Sequence, residues 1–158
     1  MCPPTPPARD GLLGPPPAEL QVVVEVEVPK GGFVKRLGDG TVDFVSPVPC
    51  PFNYGALPDT VAADGDRDDA VLLGPRRPAG ERVPARVWAR VRFVDAGDRD
   101  DKLVCGHHAP TRWQRRRVLL FFTVYARCKV LLNRLRGKGG VTRLEGWDDL
   151  HDAGPVVR

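Results

Sequence analysis

Asp64-Gly65-Asp66-Arg67-Asp68-Asp69, followed at once by Ala70-Val71-Leu72-Leu73, joins a dense acidic loop to a short apolar run. Four carboxylates fall within six residues, and one arginine cannot balance them. Two unit charges about 5 Å apart repel by roughly 1 to 3 kcal/mol between the limits of bulk water and an effective dielectric of 20. A cation would offset that repulsion. Carboxylate oxygen is a hard ligand, so the ions it favours are Mg²⁺, Mn²⁺ or Ca²⁺, not zinc or copper. The calcium loop of the EF-hand does not fit: counted from Asp64, its glycine position falls on Asp69 and its bidentate glutamate on Pro75. Spacing alone leaves ion binding and a solvated acidic turn both open. A second acidic loop, Asp95-Ala96-Gly97-Asp98-Arg99-Asp100-Asp101-Lys102, tips the balance toward ion binding.

Around these loops the chain reads as short strands with one long helix. Residues 70–73 form a buried strand directly after the first loop. Upstream, residues 21–28 alternate, with Val24, Val26 and Val28 on one face and Glu25 and Glu27 on the other. Pro29-Lys30-Gly31-Gly32 closes that strand in a turn, and Asp39-Gly40 signals a hairpin into residues 41–46. Residues 47–55 carry three prolines, which remove donors and fix φ, so an irregular stiff crossing that holds Tyr54 is expected there. Residues 83–94 make the longest strand, with Val87, Ala89, Val91 and Phe93 inward and Arg86, Trp88, Arg90 and Arg92 outward. That basic face reads as a sheet exterior before it reads as an anion site. Residues 103–105 continue the sheet, and His107-His108 reads as a surface pair because no companion ligand spacing accompanies it.

Residues 112–135 have the period of a helix. Val118, Phe121, Phe122, Tyr125, Cys128, Leu132 and Leu135 recur at three- and four-residue steps along one apolar stripe. Gly137 to Gly140 stops it, residues 141–145 give a last strand, and residues 148–153 a stub of helix. The order of elements predicts an α+β, mainly β fold: a small barrel with one long C-terminal helix packed on it.

Length and composition agree. The 158 residues suit one domain with a real core, and 42% hydrophobic and 28% charged residues are ordinary for a soluble globular chain. Residues 1–20 hold seven prolines and two glycines with few large apolar side chains, so a disordered tail is expected, with the domain at residues 21–158. The apolar run 118–122 is far too short to span a bilayer, and the N-terminus lacks the order of a signal peptide. Four cysteines without CxxC spacing give no support to zinc or redox motifs and read as reduced cytoplasmic thiols. A net charge of +4 permits anionic ligands without requiring them. Nucleic acid ranks last among such partners, because aromatics are only 7% and no base-stacking pattern shows in the strands.

In sequence order, Glu27-Val28-Pro29-Lys30-Gly31, Pro51-Phe52-Asn53-Tyr54-Gly55, Asp64 to Asp69, Asp100-Asp101-Lys102, Phe121-Phe122 with Tyr125, and Glu145-Gly146-Trp147 resemble the soluble family I inorganic pyrophosphatases. The resemblance runs from Glu25 to about Trp147. It implies a closed five-stranded OB-like barrel and the magnesium-dependent hydrolysis of pyrophosphate to two phosphates, with Mn²⁺ as an alternative ion. It places Asp64, Asp69, Asp95 and Asp100 at positions that bind the several metal ions. Asp66 matches the aspartate that works with the metals as general base on the attacking water. Glu27 matches an acidic residue that positions metal-associated water, and Lys35, Tyr54, Lys102 and Tyr125 match ligands of the substrate phosphates. The resemblance also admits a homo-oligomer.

Departures from the family pattern concentrate in the phosphate clamp. A glutamate is replaced by Leu37, a tyrosine by Cys50, an acidic residue by Ala96 and a lysine by Ala126, and no arginine stands around Val42-Asp43-Phe44. The segment between Cys105 and the helix is shortened as well. Each charged hydrogen bond lost is worth about 1.5 to 3 kcal/mol. Arg36, Arg127 and Lys129 lie beside vacated positions, and Lys129 is four residues from Tyr125, on the same helical face. The alternative expectation is therefore a catalytically weakened relative that binds Mg²⁺ and a phosphorylated ligand.

Overall fold

A computed structural model describes residues 21–36, 40–46, 48–60 and 67–150. The tail at 1–20, the motif residues Asp64, Gly65 and Asp66, Leu37, and the last eight residues lie outside the described residues. The elements in chain order are β1 (Gln21–Val28), β2 (Val34–Arg36), β3 (Val42–Val45), β4 (Asn53–Ala56), β5 (Asp69–Leu72), β6 (Arg82–Asp95), β7 (Asp98–Arg99), β8 (Lys102–Gly106), α1 (Arg112–Leu135) and β9 (Arg143–Asp149). The described residues are mainly β-sheet with one helix.

Alternation decides the sheet. Val24, Val26 and Val28 of β1 are buried, as are Val87, Ala89, Val91 and Phe93 of the 14-residue β6. Neighbours pair in the order β1-β4-β5-β8-β6, and β6 pairs in turn with β1, from Gln21 opposite Arg86 to Glu25 opposite Arg82. All of these pairings are antiparallel except β5 with β8. The parallel pair sets Asp69 opposite Lys102, and that register positions the site. β7 and β9 extend the sheet beside β6, while β2 and β3 form a separate hairpin.

The helix begins where the sequence supplies a cap. The Thr111 hydroxyl accepts from the Gln114 amide at 3.1 Å, and Gln114 Oε1 accepts from the Thr111 amide at 2.9 Å. This reciprocal capping box satisfies two donors that the first turn leaves open. Val118, Phe121 and Phe122 then bury against Phe52, Val91 and Phe93, with ring centroids of Phe52 and Phe121 at 5.1 Å. A second cluster gathers Val24, Val26, Ala70, Leu72 and Leu103, so alternate residues of β5 serve different parts of the core.

Three expectations need correction. The proline-rich crossing ends at Phe52: Asn53–Ala56 is regular strand, because Asn53 follows the last proline and its neighbours' backbone groups are free to pair with β1 and β5. Asp148 and Asp149 belong to β9, not to a helical stub, since they continue the pairing with Arg90 and Ala89. Leu135 lies outside the apolar stripe and is 78% exposed; Ala126 and Asn133 face the interior instead.

Candidate active site

Lys102 is the hinge of the site. It starts β8 fully buried, and burying an ammonium is costly unless it is paired. Its Nζ donates to Asp69 Oδ2 at 2.5 Å and to Asp100 Oδ1 at 2.6 Å. Burial alone would lower this amine, but the two carboxylates outweigh it and hold the ammonium well above its ordinary range. Asp69 shows the reciprocal effect: burial would raise it, and Lys102 with Lys35 keeps it below the usual carboxylate value. Asp100 goes the other way. Its burial, with Asp69 and Asp95 nearby, prevails over Lys102 and raises it.

Lys35, on β2, reaches across from the separate hairpin. Its ammonium lies 3.5 Å from Glu27 Oε2 and 4.0 Å from Asp69 Oδ1, and 5.6 Å from the centre of the Tyr54 ring. Burial raises Glu27 above an ordinary glutamate, against the pull of Lys35. Tyr54 sits between the two lysines, with Lys102 Nζ at 5.9 Å from its ring. Burial first, then the Asp69 charge, lifts its phenol well above the usual value. Burial lifts Tyr125 as well. Both hydroxyls are neutral at neutral pH, as an ordinary phenol also is.

Asp95 ends β6 on the helix side of the cluster. Its Oδ1 accepts from Asn133 Nδ2 at 2.8 Å and from the Thr142 hydroxyl at 3.2 Å, while Lys129 Nζ lies 3.1 Å from Oδ2. Burial would raise this carboxyl; Asn133, Lys129 and Thr142 together bring it below normal. Asp95 is close enough to Asp100 to influence its charge. The structure thus brings together Glu27, Lys35, Tyr54, Asp69, Asp100 and Lys102, with Tyr125 and Asp95 at the flank. Asp64 and Asp66 stand outside the described residues.

The donor set is all hard oxygen. Glu27 Oε2 is buried, with the Lys35 ammonium at 3.5 Å as its counter-charge. In donor chemistry these residues fit a hard divalent ion. Among the described residues, however, no three His, Cys, Asp or Glu side chains stand close enough to hold one ion. Lysines occupy the spaces between the carboxylates.

Sequence reading did not single out Asn53, Asn133 or Thr142. Asn53 is fully buried and saturated: Oδ1 accepts from the Lys30 and Arg77 amides at 3.0 and 2.9 Å, and Nδ2 donates to the Leu72 and Pro75 carbonyls at 3.4 and 2.9 Å. It ties two loops and the end of β5 to the start of β4, next to Tyr54. Its signal was its place in the quoted motif, without a stated role. Asn133 lies eight residues from Tyr125 on α1, so helical period alone puts it on the same face. On the other face of β6, Arg90 pairs with Asp101 and Asp148, and Arg92 with Asp148. These arginines bind the sheet's own carboxylates. His107 and His108 are exposed.

Three ammonium groups, four carboxylates and two neutral phenols share this cluster. The family described as inorganic pyrophosphatase matches residues 24–129. The chain is 29% identical to an inorganic pyrophosphatase of Neisseria meningitidis, over 84% of this chain and 82% of that protein. The solved inorganic pyrophosphatase of Neisseria gonorrhoeae superposes with a TM-score of 0.65 at 26% identity, covering 92% of each chain. That of Thermus thermophilus gives 0.65 at 25% identity over 84% of each. The chain belongs to the inorganic pyrophosphatase family, a family of hydrolases. No helix among the described residues is long and apolar enough to cross a membrane.

Proposed function

We propose that this chain hydrolyses inorganic pyrophosphate to two phosphates with Mg²⁺. The observation that carries the reading is the buried Lys102 clamped between Asp69 and Asp100, within a match to the family that spans 24–129. Asp69, Asp95 and Asp100 would hold the ions together with Asp64 and Asp66. Bound there, Mg²⁺ supplies charge neutralisation and lowers the pKa of water. The protein's part is positioning and charge. Lys35 and Lys102 offset the diphosphate oxygens, and the neutral phenols Tyr54 and Tyr125 donate hydrogen bonds to them. Asp66 accepts the proton of the attacking water, and Glu27 orients that water.

The cycle of strand pairings through β1, β4, β5, β8 and β6 supports reading the sheet as a closed five-stranded OB-like barrel. The domain is read as residues 21–158, acting in the cytoplasm. A second reading, a weakened relative that holds a phosphorylated ligand, is favoured by Cys50 and Ala126. Both vacated clamp positions carry small buried side chains that present no charge. Phosphate release from pyrophosphate, with and without Mg²⁺, separates the two. Magnesium-dependent release that disappears in Asp66→Asn supports the first; release equal to the blank, with Mg²⁺ and phosphate still bound, supports the second.

A further inference from the structure

Asp95 has two unequal oxygens. Oδ1 is tied into the frame: Asn133 Nδ2 donates to it at 2.8 Å and the Thr142 hydroxyl at 3.2 Å, and Thr142 in turn accepts from the Ala96 amide at 2.9 Å. Asn133 is buried and also donates to Thr142 Oγ1 at 3.0 Å. These contacts lock the end of β6 to α1 and to the chain just before β9. Oδ2 has a different partner, the half-buried ammonium of Lys129 at 3.1 Å. That ammonium also lies 5.9 Å from the centre of the Tyr125 ring. Lys129 thus stands one helical turn from Tyr125 on the site-facing side of α1. Its four-carbon stem ends in a single point charge, which can turn from one oxygen to another without moving the backbone.

We propose that Lys129 is a substrate-binding residue that couples metal to substrate: it is the resident counter-ion of Asp95 Oδ2, is displaced when a divalent ion binds there, and then takes up a phosphate oxygen beside Tyr125. The inference rests on the pyrophosphatase reading above. Two cations cannot share Oδ2 at contact distance without strong repulsion, so ion binding and the Asp95–Lys129 pair exclude each other. Displacement leaves a positive charge without its carboxylate, facing the space that an anionic substrate fills. Metal therefore prepares the clamp, and by linkage a bound diphosphate strengthens metal binding. Lys129 is in this way a site cation on a part of the helix where Ala126 offers none.

The test is binding, free of turnover. Mg²⁺ and methylenediphosphonate are titrated calorimetrically into wild type, Lys129→Gln, Lys129→Arg and, as control, Lys138→Gln, an exposed lysine just beyond α1. Lys129→Gln is expected to bind Mg²⁺ alone more tightly, on the order of tenfold, because the competing charge is gone. The same variant binds methylenediphosphonate in the presence of Mg²⁺ more weakly, by about tenfold or more. Lys129→Arg and Lys138→Gln keep the wild-type order of affinities. Opposite shifts in Lys129→Gln support the coupling; either affinity unchanged, or both moving the same way, overturns it. Should that variant not fold, wild type decides: the Lys129 side-chain NMR signal, assigned with Lys129→Arg, moves on adding Mg²⁺ alone, and a stationary signal overturns the coupling. Wild-type protein that binds no Mg²⁺ overturns the pyrophosphatase reading itself, a different result from bound Mg²⁺ with no role for Lys129.

Discussion

Lys102→Met removes the ammonium shared by two partly buried carboxylates, leaving Asp100 without its counter-charge and Asp69 with only the more distant Lys35. Breaking such a pair is expected to cost about 3 to 5 kcal/mol at neutral pH, read as a lowered midpoint in thermal or urea unfolding. The pH dependence follows from the shifts. Lys102 is raised, so its contribution is complete below its unfolded value near 10.4 and is lost as pH rises through the folded one. Asp69 is lowered, so its contribution is present above about 3.9 and is lost as pH falls through the folded value. Asp100 is raised and opposes this, since protonation relieves it. The difference in stability between wild type and Lys102→Met should therefore be broad and flat near neutrality and shrink below about pH 4. A difference that grew with acidity would contradict the account. Motif position made Asp69 and Lys102 candidate site residues, but their mutual contact was not legible: 33 residues separate them.

Single substitutions also test the elements that carry these residues. Thr111→Ala removes the hydroxyl that accepts from Gln114 and should destabilise α1 by about 1 kcal/mol, seen in chemical unfolding, with Thr111→Asp close to wild type. Gly55 matters for a different reason. A Cβ there would stand 2.0 Å from the Glu25 carbonyl oxygen, so β1 and β4 approach too closely for any side chain. Gly55→Ala must push these strands apart next to Tyr54. Its expected signature is a loss of several kcal/mol in unfolding and weaker phosphate binding together. Alternation and helical period revealed most elements, as in the agreement over β1 and α1, because those signals are local. The strand at Asn53–Ala56 escaped because the prolines before it dominate a reading by composition. Leu135 was misassigned because the helix outlasts the sheet it packs on: period continues past the last residue that has a neighbour to bury against.

At the scale of the molecule, the site is a seam between distant pieces: the separate β2–β3 hairpin, the parallel pair β5 and β8, the end of β6, and α1. Their carboxylates are crowded, so a ligand that binds only the folded chain should stabilise it. At an Mg²⁺ concentration about 100 times its Kd, the gain is about 2.7 kcal/mol, visible as a higher thermal midpoint than in a chelator. No shift at saturating Mg²⁺ would argue against an ion site in the folded state. By itself the sequence determined the kind of chemistry and the family, since residue types, motif order and periodicity need no third dimension. Only the tertiary structure decided which charge neutralises which. That is a matter of register and reach: β5 beside β8 hands Asp69 to Lys102, and α1 lying against the end of β6 hands Asp95 to Lys129. Charge pairing falls steeply with distance, and distances between residues far apart in the chain exist only once it has folded.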